Sequence, residues 1–70
     1  MIIFSEHVKG RLKLREIPRK LILDCVNNPD ETTLSYKGRR TYRKKLYGKI
    51  LEVVVSAEEE EQIVVTAYYL

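Results

Sequence analysis

The stretch Asn27-Asn28-Pro29-Asp30-Glu31-Thr32-Thr33-Leu34 decides the fold, because the spacing of the apolar residues changes across it. Before it, Leu21, Ile22, Cys25 and Val26 recur at i, i+1, i+4 and i+5, which is one face of a helix. Asn27 to Asp30 supply the stop, and Pro18 fits that helix's first turn. Further back, Ser5 can cap a helix from Glu6 to about Arg15, with Glu6 in the favourable first turn and Val8 and Leu12 as its apolar stripe. After the break, Thr32 to Tyr36, Thr41 to Leu46, Ile50 to Ser56 and Gln62 to Tyr69 are rich in Thr, Val, Ile and Tyr, the composition of strands. Lys37-Gly38-Arg39 and Tyr47-Gly48 each place a glycine where a hairpin needs positive φ, and Glu58 to Glu61 make a solvated third turn. The expected fold is one α+β domain over residues 1–70: two N-terminal helices packed on one face of a four-stranded antiparallel meander, in the order α-α-β-β-β-β. Val53-Val54-Val55 and Ile63-Val64-Val65 are apolar on both faces and belong in the sheet's interior, whereas the strand with Arg43-Lys44-Lys45 reads as peripheral or open on one side.

Composition narrows the partners. A chain of 70 residues buries only about 60% of its unfolded surface, so it holds one core. The single cysteine, Cys25, excludes an internal disulfide framework and falls on the apolar face of the second helix, where it reads as core. With one histidine beside it, a zinc site within one chain would need carboxylates or a second subunit, so no metal and no cofactor are expected. The N-terminus lacks a basic leader before an apolar run, and no stretch approaches the ~20 apolar residues that span a bilayer, so a cytoplasmic protein without a membrane partner is expected. All 13 Lys and Arg lie in residues 1–49 against five acids, giving that segment +8, while residues 50–70 carry five acids and no base. A cytosolic polyanion attracted to the basic region would be RNA or DNA.

Two constellations carry the candidate chemistry. His7, Arg11 and Arg15 follow i, i+4, i+8 and form a basic ridge with one titratable member suited to acid–base work near neutrality. In the second strand, alternation turns Tyr42, Lys44 and Leu46 inward and projects Arg43 and Lys45 from the open face. Arg39 and Arg40 extend that patch, and Tyr36, Tyr42 and Tyr47 lie near enough in sequence to stack on unpaired bases, a combination suited to single-stranded RNA. Thr66 and Tyr68 share one face of the last strand, Ala67 and Tyr69 the other; their hydroxyls could assist catalysis, but tyrosines at a chain end read first as hydrophobic lids.

Phe4-Ser5-Glu6-His7-Val8, Arg11-Leu12, Arg15-Glu16-Ile17-Pro18, Asn28-Pro29-Asp30, Tyr42-Arg43-Lys44 and Ile63-Val64-Val65-Thr66-Ala67-Tyr68, in that order, resemble the prokaryotic domain of unknown function 4258 over almost the whole chain. That family has been grouped by likeness with compact toxin ribonucleases of the RelE and barnase–colicin kind. The resemblance implies that His7, Arg11, Arg15, Arg43 and Thr66 occupy recurrent polar positions. In a metal-independent endoribonuclease His7 would be the base or acid, with Arg11, Arg15 and Arg43 stabilising charge and a tyrosine, a lysine or water as the second acid–base partner. Arg39, Arg40, Tyr42, Lys45, Thr66 and Tyr68 would bind the nucleic acid, and an antitoxin-like protein would be a partner. The alternatives are a non-catalytic RNA-binding module and, from the apolar end Ala67-Tyr68-Tyr69-Leu70, an interaction domain or homodimer.

Overall fold

The computed structural model describes residues 2–34, 36–58 and 61–70. Strand β1 (Ile2–Phe4) opens the chain, followed by helices α1 (Glu6–Leu14) and α2 (Arg19–Asn27) and by strands β2 (Glu31–Leu34), β3 (Arg39–Leu46), β4 (Lys49–Glu58) and β5 (Glu61–Tyr69); a short 3-10 turn, Tyr36–Gly38, joins β2 to β3. The sheet has the order β1-β5-β4-β3-β2. Strands β2 to β5 form the expected antiparallel meander, and β4 and β5 both lie in the interior of the sheet. The expected sheet is nevertheless one strand short. Residues 2–4 form β1, which pairs in parallel with β5, Ile2 beside Gln62 and Phe4 beside Val64, so the sheet is mixed and five-stranded. β3 is flanked by β2 and β4 and is therefore open on one face, not peripheral.

Local chemistry sets these boundaries. The Ser5 hydroxyl accepts from the Val8 N–H at 3.2 Å and caps α1, and Arg15 forms its C-cap. Pro18 lies just outside α2, at its N-cap, and Asn28 closes it. Both helices bury their apolar stripes on the same face of the sheet: Val8, Leu12, Ile22, Cys25 and Val26 pack with Tyr42, Leu51, Val53, Val55, Val64 and Ala67. Each such aliphatic side chain contributes roughly 1.5–3 kcal/mol. The register shifts between Val54 and Val55, leaving Val65 without a partner; this bulge is why Val64 and Ala67, three apart, both face the core.

The turns hold the expected glycines at φ +72° (Gly38) and +79° (Gly48). Leu46 pairs with Lys49, so Tyr47 and Gly48 form a two-residue loop with positive φ at both positions, as a type I′ turn requires. The strand expected to reach Tyr36 stops at Leu34, because the 3-10 turn begins at Tyr36. Glu58 pairs with Glu61, and the turn between them lies outside the described residues. Among the described residues, no helix is long and apolar enough to cross a membrane.

Candidate functional site

The helical spacing of His7, Arg11 and Arg15 places them on one exposed flank of α1, beside the buried Val8 and Leu12. Arg11 Nε donates to His7 Nε2 at 2.9 Å, so the imidazole and the guanidinium are held side by side. Arg15 reaches the uncovered edge of β5, where its Nη1 donates to the Ala67 carbonyl at 2.9 Å and to the Thr66 hydroxyl at 3.4 Å. β1 covers β5 only as far as Val64, which is why that carbonyl is available. The three residues, with Gly10 and Leu14, line a depression along the helix. Among the described residues, neither Arg11 nor Arg15 has a carboxylate ion-pair partner.

The other expected group is arranged differently. Arg43 lies across from Glu52 in the β3–β4 register, and Glu52 across from Tyr68 in the β4–β5 register, all three on the face away from the helices. Glu52 is 5% exposed. Its carboxylate accepts from Arg43 Nε at 2.6 Å on one oxygen and from the Tyr68 hydroxyl on the other. The sheet thus stands between Arg43 and the His7 ridge. Glu52 is the residue that sequence reasoning missed; the signal was a single acid inside Leu51-Glu52-Val53-Val54-Val55.

The remaining expected residues divide by alternation. Lys45 and Arg39 share Arg43's face, whereas Arg40 is on the opposite one, so the expected continuous patch is split. Glu31 pairs in register with Arg43, and Asp30 Oδ2 accepts from the Lys45 N–H at 2.8 Å, which brings acids against the cations of this face. Tyr42 corrects the stacking assignment: it is 6% exposed, in the core, and offers no face to a base. Tyr47 is 91% exposed. The Tyr36 side chain lies outside what is described. Thr66 joins the α1 site through Arg15 and Tyr68 joins the sheet network through Glu52. Cys25 is inert core: its thiol donates to the Tyr42 and Leu51 carbonyls, and burial pushes it up to about 11.

Fold and site together define a two-layer α+β domain with helices on one side of a mixed sheet, an open cationic ridge on α1 and a closed carboxylate network on the bare face. The family model described as Domain of unknown function (DUF4258) matches residues 4–69, and the chain belongs to that family. Comparison with the curated proteins and with the solved structures gave no match.

Proposed function

We propose that this domain acts on single-stranded RNA through the α1 ridge, as a metal-independent endoribonuclease of the toxin type. The observation that carries the reading is the 2.9 Å contact between Arg11 Nε and His7 Nε2, an imidazole held beside a cation, with Arg15 continuing the ridge. Once the substrate phosphate draws Arg11 off Nε2, that nitrogen of His7 takes the proton of a ribose 2′-hydroxyl; that oxygen attacks the adjacent phosphorus, and the 5′-oxygen leaves with a proton from water. Arg11 and Arg15 stabilise the charge that builds on the phosphoryl oxygens. The resemblance to RelE-like ribonucleases supports this reading by analogy alone, since one fold hosts many functions.

The reading gives Arg43 no part in the chemistry, since Glu52 holds it on the opposite face of the sheet. That placement favours a second reading, an RNA-binding module without catalysis. Labelled single-stranded RNA incubated in chelator separates the two. Cleavage in the parent that falls about 100-fold or more in His7→Ala supports the nuclease. A mobility shift with intact RNA supports the binding module, and neither result removes both.

A further inference from the structure

A second depression, of about 250 Å³, adjoins the first and shares Arg15 as its wall; Glu16, Leu46, Tyr47, Lys49 and Tyr69 complete it. It lies where the C-terminal end of α1 meets the β3–β4 hairpin. We propose that this cleft is the subsite for one unpaired nucleobase of the RNA, stacked on Tyr47; the inference rests on the RNA reading above.

The chemistry of the lining fits that occupant. Tyr47 presents its ring at the tip of a rigid hairpin, 91% exposed, with little side-chain entropy to lose on stacking. Tyr69 packs on the core and carries the Lys49 ammonium 5.2 Å above its ring, which holds a cation at the cleft wall. Arg15 stands on the other side, fixed by Ala67 and Thr66. A flat aromatic guest between Tyr47 and Arg15 leaves its flanking phosphates near Lys49 and the α1 ridge. Glu16 is the one acid in the cleft, and it offers an acceptor to the amino groups of a base.

The backbone supports the assignment independently. Tyr47 occupies the left-handed region at φ +52°, where asparagine, aspartate or glycine would sit with less strain. A bulky aromatic there costs stability and contributes nothing to the core, so its benefit lies outside the fold.

The test uses an eight-nucleotide oligoadenylate RNA and an abasic strand with the same ribose–phosphate backbone. The parent is expected to bind the base-bearing strand about tenfold tighter or more. Tyr47→Phe should keep that preference. Tyr47→Ala and Tyr47→Asn should lose it, and Tyr47→Asn should do so while melting at a higher temperature than the parent, which separates lost recognition from lost folding. Equal binding of both strands by the parent, or a preference unchanged in Tyr47→Ala, would overturn the subsite and leave the RNA reading standing. Binding of neither strand would remove both.

Discussion

Arg11 and Arg43 are both exposed enough to meet a ligand, yet they hold their charge in opposite ways. Arg11 donates to the His7 imidazole on an open helix flank, and Arg43 donates to Glu52, which is 5% exposed and also receives Tyr68. The first charge is available to an anion; the second is committed to keeping Glu52 in place. A count of arginines therefore misjudges where a polyanion binds, because the acid that neutralises a cation can lie on a neighbouring strand nine residues away.

The strongest way to break this comparison is to remove Arg43. Arg43→Ala should leave a buried carboxylate short of its cation and cost about 2–4 kcal/mol, reduced from the fully buried case because the arginine side chain is 44% exposed. Urea denaturation checks it, and a loss below 0.5 kcal/mol would show that Glu52 does not depend on the pair. Arg11→Ala should change stability by less than about 0.5 kcal/mol. On the proposed RNA reading it should nonetheless weaken RNA binding and lower the salt slope by about one, while Arg43→Met leaves that slope alone. Equal slopes for the two variants would erase the distinction between the sites.

A smaller effect sharpens the comparison at the helix start. Ser5→Ala should cost about 1 kcal/mol by removing the cap that sets the position of the ridge, with thermal unfolding as the measure. The buried thiol gives the mildest test. Because Cys25 is raised to about 11 in the fold, the folded state holds its proton more tightly than the unfolded chain does. Its contribution is complete below pH 9 and is lost as pH climbs from there through about 11. A disulfide reagent at pH 8 should modify Cys25 only on denaturation, and rapid labelling of the native chain would contradict its burial.

The helices, the meander and the inward set Tyr42, Lys44 and Leu46 were legible because they rest on local periodicity. β1 was not, because three residues show no period and their partner lies some sixty positions away. The ridge of His7, Arg11 and Arg15 followed from helical spacing alone. The Arg43–Glu52–Tyr68 network needed the register of three strands, and a strand's register is not written in its own composition. Tyr42 shows two local signals in conflict: its alternation placed it inward while its aromatic ring suggested stacking, and packing decided the matter.

The parallel pairing of β1 with β5 also constrains how the protein is made. During synthesis β1 and α1 leave the ribosome first, but β5, which both of them pack against, follows roughly 60 residues later, several seconds at about 5–20 residues per second. Through that interval β1 has no strand to pair with and α1 lacks the strand it packs against. The helical layer therefore settles in two stages, α2 on β3 and β4 first and α1 with β1 only once β5 has been supplied.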